Sequence, residues 1–374
     1  MKHSTNTPPI RYAIAGAGGY GSCRRAAIRA SGEFKIIGAL DPNDDAIAST
    51  AQQEGTPVRR YQTMEELCAD PLVEAVFIST PAHLHVALGW QAARAGKAVF
   101  IEKPLGHDLE ECRKLVEYCE VNRIPHGHGF TVPSLPLWVE VKRILESGLL
   151  GTIVSVSVAS MSTGGFVYPP DNWRFFKSKN PGGQLFQCGI HKIDLVRRLF
   201  GDGKWLAGYV RQDMTPAETD DGYVLLGEFG GVPVTLHSHY VASYRHAMEI
   251  YGTDGDLFVS ECADKLEYKK TDLAGGFEPV QDWTEKIPAG DEESGAADMR
   301  DFADAVRERR QPVISGRDGL KALELIFDAI RIAKPIALRP QNDLAAKRRD
   351  EFHAKEAKLE VSGIPNDNAL LPVG

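Results

Sequence analysis

Between Arg11 and about Ile124, short apolar runs alternate with stretches of helical periodicity. The runs at 12–15, 34–40, 75–79 and 98–101 are partly β-branched and bounded by Gly, Pro or polar residues, a pattern that predicts strands. The segments 21–30, 82–95 and 109–122 read as helices. Such alternation builds βαβ units and hence a parallel sheet. After Phe130 the pattern changes. A helix is predicted at 137–147, then a long strand at 152–160, where Ile153, Val154, Val156 and Val158 crowd an almost Gly-free run. Further strands are expected at 223–229, 232–240, 246–251 and 257–260, with Gly230-Gly231 and the Gly252 to Gly255 segment as turns. This implies a second, predominantly antiparallel open sheet. Helices at 191–199, 298–309 and 319–333 would cover one of its faces, leaving the other to solvent or to a second subunit.

The resulting division is a polar, Pro-bearing tail at 1–9, a parallel α/β domain at 10–128, an α/β domain at 129–339 and a charged arm at 340–374. A chain of 374 residues exceeds what one hydrophobic core usually serves, in keeping with two domains. The uncovered sheet face makes a homo-oligomer, dimer or tetramer, the expected assembly. A formal charge of −8 disfavours a phosphate-coating surface, so no nucleic-acid partner is expected. No segment is apolar enough over a sufficient length to cross a bilayer, and the first residues lack a signal-like basic and apolar pattern. Six cysteines without CxxC spacing fit reduced thiols in a cytoplasm better than a disulfide framework or a zinc site, and no metal is expected.

Gly16-Ala17-Gly18-Gly19-Tyr20-Gly21 follows the first strand and opens the first helix. The glycines of such a GxGxxG turn permit a tight bend, close approach of backbone to a pyrophosphate, and close helix packing. Asp41 ends the second strand 20 residues beyond Gly21, where a carboxylate can accept hydrogen bonds from ribose hydroxyls. It would also repel a 2′-phosphate. No Arg follows in Asp41-Pro42-Asn43-Asp44-Asp45, which favours NAD over NADP.

Three more segments carry a resemblance: Ser79-Thr80-Pro81-Ala82-His83-Leu84-His85, then Ile101-Glu102-Lys103-Pro104-Leu105, then Gly182-Gly183-Gln184-Leu185-Phe186-Gln187-Cys188-Gly189-Ile190-His191-Lys192-Ile193-Asp194. Together, and in this order, they resemble the family of glucose-fructose oxidoreductase and inositol dehydrogenase. The likeness runs from about Arg11 to Arg339, with two departures. Ala82 stands where the family pattern has Asn, and Gln187 stands where it has Asp.

The resemblance implies a Rossmann-type doubly wound domain binding NAD and a C-terminal α/β domain binding a polyhydroxylated small molecule. It places Thr80, Pro81, His85, Glu102 and Lys103 beside the cofactor, together with Gly16, Gly18, Gly19, Tyr20, Gly21 and Asp41. It makes Lys103 and His191 the catalytic pair. Alcohol oxidation by NAD needs a base for the hydroxyl proton beside a positioned hydride donor. The imidazole of His191 has an ordinary pKa near working pH, and the ammonium of Lys103 can stabilise alkoxide character. Gln187 is a candidate to bind a substrate hydroxyl. Asp194 either binds substrate or stabilises its helix. Trp173 and Arg174 either wall the pocket for sugar hydroxyls or a carboxylate, or anchor packing. His237 and His239 alternate on one strand and read as sheet packing or a polar interface. A tight turn aiming Lys103 would accommodate a cis Lys103–Pro104 bond.

The leading expectation is a dehydrogenase or reductase of a sugar, sugar derivative or polyol. Two alternatives stand beside it: a glycoside-cleaving enzyme using transient oxidation and elimination, and a non-catalytic NAD-sensing regulator.

Overall fold

The computed structural model describes residues 8–169, 171–212, 214–215, 217–271, 282–287 and 292–336. The arm expected at 340–374 lies outside the described residues, as does all of the N-terminal tail except Pro8 and Pro9. Among the described residues the chain forms two compact units. One runs to Pro136 and includes Gly290–Lys321; the other comprises Leu137–Ala289 and the residues from Ala322.

The first unit holds a six-stranded, wholly parallel sheet: β1 (Ile10–Ala15), β2 (Phe34–Leu40), β3 (Arg59–Arg60), β4 (Ala75–Ile78), β5 (Ala98–Ile101) and β6 (His126–His128). Their order, β3-β2-β1-β4-β5-β6, reverses direction between β1 and β4. Open α/β sheets bind ligands at the carboxyl ends of strands at such a switch point. β4 and β5 are each Ala-Val-Phe-Ile, buried at all four positions, as strands covered on both faces must be. The helices are α1 (Tyr20–Ser31), α2 (Asp44–Glu54), α3 (Met64–Ala69), α4 (His85–Arg94) and α5 (Leu109–Val121). Side chains of Asn43, Thr63 and Asp108 cap α2, α3 and α5.

One helix does not lie where the sequence pattern placed it. The segment expected at 298–309 on the second sheet is part of a helix, Glu292–Glu308, that belongs to the first unit and packs on α1. Phe302 enters the first core, with ring centroids 5.3 Å from Phe100, 5.7 Å from Phe77 and 6.0 Å from Phe34. Periodicity requires that an apolar face be buried and is silent on which sheet buries it.

The second unit is built on nine strands: β7 (Ile153–Met161), β8 (Gly203–Arg211), β9 (Gly222–Phe229), β10 (Val232–His239), β11 (Arg245–Gly252), β12 (Gly255–Ser260), β13 (Lys265–Lys270), β14 (Asp282–Lys286) and β15 (Lys334–Pro335). They are ordered β14-β13-β12-β11-β7-β10-β9-β8-β15. The sheet is mostly antiparallel, as expected, with β10 parallel to β7 and β15 parallel to β8. Buried and less buried positions alternate along β10 and β12, so one face carries the core. Tyr209 and Leu226 lie exposed on the other face.

Candidate active site

At the β1–α1 turn the three glycines of the motif answer to different demands. Gly16 has φ of 88°, and a Cβ there would lie 2.7 Å from the carbonyl atoms of Ser79. Only glycine lets this turn cross the end of β4. A Cβ on Gly21 would lie 2.2 Å from the Gly16 oxygen, so helix and turn need that glycine as well. Gly18 is different, because a Cβ there meets only Ala46, at an ordinary 3.6 Å. Among the described residues nothing requires a bare backbone at Gly18, whereas close approach of a dinucleotide phosphate would. Helix α1 starts with no side-chain cap and no acidic residue in its first turn, which leaves its positive end suited to an anion. These residues fit a dinucleotide.

Asp41 has a role that its spacing did not announce. Its Oδ2 accepts the amides of Ala17 at 2.7 Å and Gly18 at 3.3 Å, and its Oδ1 accepts that of Asn43 at 2.9 Å. The carboxylate therefore shapes the glycine turn, and a carboxylate has lone pairs left for hydroxyl donors. Arg25, buried on α1, completes the turn by donating to the Ala17 carbonyl and to Gln53.

Thr80 and Pro81 follow β4, and Lys103 follows β5. Lys103 is half-buried, and its bond to Pro104 is cis, as the sequence suggested. Two residues assigned to the cofactor by resemblance also have partners within the protein. His85 is buried, with Nδ1 2.7 Å from the Pro104 carbonyl and Nε2 2.7 Å from the Thr80 carbonyl, so it ties the two strand-end loops together. Burial lowers its pKa despite the opposing pull of those carbonyls. Glu102 is also buried, and its carboxylate pairs with Nε of Arg24, which rises from α1 and lies 4.9 Å from the Phe100 ring centroid. A Cβ on Gly129 would lie 2.3 Å from Glu102 Oε2, so a glycine there makes room for the carboxylate. Glu102 thus supports the lysine turn from beneath.

In the second unit the Gly-rich lead-in becomes a π-helical turn, Leu185–Gly189, that runs directly into the helix Ile190–Phe200. Wide turns of this kind recur at functional sites. Gly183 has φ of 51°, and a Cβ there would lie 2.0 Å from the Asp220 oxygen. Gln187 from the π turn and His191 from the first helical turn are both buried. The Gln187 amide donates to Asn180 Oδ1 at 3.3 Å, and Asn180 donates to the Arg174 carbonyl at 2.7 Å. Arg174 sits in the short turn Trp173–Phe175, with its guanidinium carbon 4.7 Å from the Trp173 centroid and 4.8 Å from that of Tyr168. Tyr168 and Asn180 escaped the sequence reading, since single Tyr and Asn residues carry no spacing signal.

Asp194 is engaged with its own helix. It is fully buried, and its oxygens accept bonds from Arg197 at 3.0 Å and Arg198 at 2.8 Å on its own helix. Those bonds stabilise the helix, the second of the two readings of Asp194. His237 and His239 lie on β10, and among the described residues no group of three or more His, Cys, Asp or Glu side chains is placed to hold a metal. No helix among the described residues is long and apolar enough to cross a membrane.

Residues 10–124 match the model of the GFO/IDH/MocA oxidoreductase family, described as an NAD-binding Rossmann fold, and residues 138–258 match the GFO/IDH/MocA C-terminal domain. Levoglucosan dehydrogenase of Pseudarthrobacter phenanthrenivorans is 28% identical over 306 residues, spanning 70% of this chain and 78% of its own length. Inositol 2-dehydrogenase of Rhizobium meliloti is 25% identical over 336 residues, 86% of this chain and 96% of its own. A solved levoglucosan dehydrogenase in complex with NADH and levoglucosan matches with a TM-score of 0.77 at 22% identity, covering 87% of this chain and 97% of that one. A Desulfitobacterium hafniense oxidoreductase described as NADPH-dependent matches with a TM-score of 0.78 at 21% identity, covering 87% and 96%. These two structural likenesses establish the fold.

Proposed function

The chain belongs to the GFO/IDH/MocA family of oxidoreductases, and on that footing we propose that it exchanges a hydride between NAD and a hydroxyl or carbonyl carbon of a sugar, sugar derivative or polyol. The observation that carries this reading is the half-buried Lys103 at the end of β5, its turn fixed by the buried Glu102–Arg24 pair and by His85. When bound, NAD supplies the two-electron acceptor. Lys103 orients the reacting hydroxyl and stabilises its alkoxide character, while His191 takes the proton. The relatives named above act, by their names, on polyhydroxylated compounds, which supports the substrate class. The test is a panel of sugars and polyols with NAD and NADP, followed at 340 nm, in which sustained NADH formation is expected.

NAD is the proposed cofactor because a carboxylate at Asp41, just after β2, would repel a 2′-phosphate, and Arg60, on the strand beside β2, is paired with Asp44. Asp41→Ala is expected to lower kcat/KM with NAD by about tenfold while raising the relative use of NADP, since like-charge repulsion disappears. An unchanged ratio of NAD to NADP use contradicts the assignment.

Gln187, one turn before His191, is uncharged. A carboxylate at that position would favour imidazolium, so Gln187→Asp is expected to raise the pKa of His191 by about one unit. The proton acceptor must be neutral, and the acid limb of the pH–kcat/KM profile therefore moves to higher pH. A limb that stays in place argues against His191 as the base. The exposed face carrying Tyr209 and Leu226 is the proposed contact for a second copy of the chain.

A further inference from the structure

Building on the sugar or polyol reading, we propose that the substrate carries a carboxylate and that Arg174 binds it, making the substrate class a sugar acid such as a uronate or an aldonate. Arg174 is held on every backbone side. Its amide donates to Asn172 Oδ1 at 3.1 Å, and its carbonyl accepts Asn180 Nδ2 at 2.7 Å and Thr219 Oγ1 at 3.3 Å. The rings of Trp173 and Tyr168 then fix the guanidinium in place. Aromatic faces stabilise a cation without using its N–H groups, so the hydrogen-bonding edge stays available.

That edge lacks a counter-charge. Among the described residues its one side-chain hydrogen bond is Nη1 to Asn172 Oδ1 at 3.5 Å, and no carboxylate oxygen lies within 4.0 Å of it. Other partly or wholly buried arginines in the chain are handled differently: Arg197 and Arg198 share Asp194, and Arg24 holds Glu102. The groups acting on the Tyr168 hydroxyl are Arg174 and Cys188, and those on the buried Tyr240 hydroxyl are Cys188, Arg174, Tyr168 and Asn180. No carboxylate is among them.

The location ties this cation to the proposed chemistry. Asn180 bonds both the Arg174 carbonyl and the side chain of Gln187, which lies one turn before His191. Gln187 is neutral and repels nothing. A pre-positioned guanidinium fork matches a carboxylate in two parallel hydrogen bonds, and a neutral sugar leaves that fork unpaired.

The experiment uses the full chain with NAD and matched probes: D-glucuronate against D-glucose, and D-gluconate against D-glucitol. Two readouts are taken, NADH formation and the shift in melting temperature. The acid of each pair is expected to exceed its neutral partner by about 10–100-fold in kcat/KM, the range of a hydrogen bond to a charged group. In Arg174→Met the preference falls to near unity, and Arg174→Lys keeps part of it. Equal or greater activity on the neutral partner overturns the proposal and leaves the redox reading standing. An acid preference that survives in Arg174→Met also overturns it. A melting shift specific to the acids and lost in Arg174→Met, without NADH formation on any probe, supports the anion site and rejects the redox reading. Neither NADH formation nor an acid-specific shift rejects both.

Discussion

Lys103→Ala is expected to lower kcat/KM by about 1,000-fold while leaving the fold and dinucleotide affinity nearly intact, because a positioned group that stabilises transition-state charge contributes about 10²–10³ in rate. Lys103 is half-buried on a strand-end turn, and the described supports of that turn come from Glu102, Arg24 and His85. Removing the amine therefore takes away transition-state charge stabilisation without opening a core cavity, and stability should move by no more than about 0.5 kcal/mol. Lys103→Arg should also fail, since a broad planar guanidinium cannot occupy the place of a compact ammonium. Single-turnover NADH formation measures the loss, and urea denaturation measures the intact fold. A Lys103→Ala variant with near-normal turnover contradicts the role.

Arg24→Met has the opposite signature, with stability lost first. The Arg24 and Glu102 side chains are 2% and 5% exposed, so truncating the cation leaves a carboxylate buried and unpaired. Breaking such a pair costs about 3–5 kcal/mol. Glu102→Gln in the Arg24→Met background removes the stranded charge and should restore much of that stability. Urea denaturation of both single variants and the double variant gives the coupling energy. Additive losses mean the two side chains do not act as a pair. Because the pair joins the dinucleotide-turn helix to the lysine turn, whatever folded Arg24→Met protein remains should show weakened kcat along with its lowered midpoint.

Much of the first sheet was legible because strands buried on both faces read as unbroken apolar runs, as at β4 and β5. Helix α2 was not, since only Ile47 and Thr50 of its residues are buried and its periodicity is faint. β8 was missed because its register shifts between Trp205 and Ala207, which breaks the period of two. In the site, the glycine turn could be read from local spacing, though the bonds by which Asp41 shapes it could not. The inward duties of His85, Glu102 and Asp194 could not, because they depend on the partners the fold supplies. Glu102 meets Arg24 across 78 positions, and His85 meets the Pro104 carbonyl across 19. A motif marks a polar residue as worth fixing, and only the packing decides whether it faces a ligand or the protein.

The central claim is that the amine of Lys103 and the imidazole of His191 act on one hydroxyl. A crystal structure of the chain with NADH and a turned-over sugar tests it most directly. Both nitrogens are predicted within hydrogen-bond reach, about 2.6–3.2 Å, of the same substrate oxygen, either directly or with one water between. A substrate oxygen that neither group approaches, or that only one of them does, contradicts it.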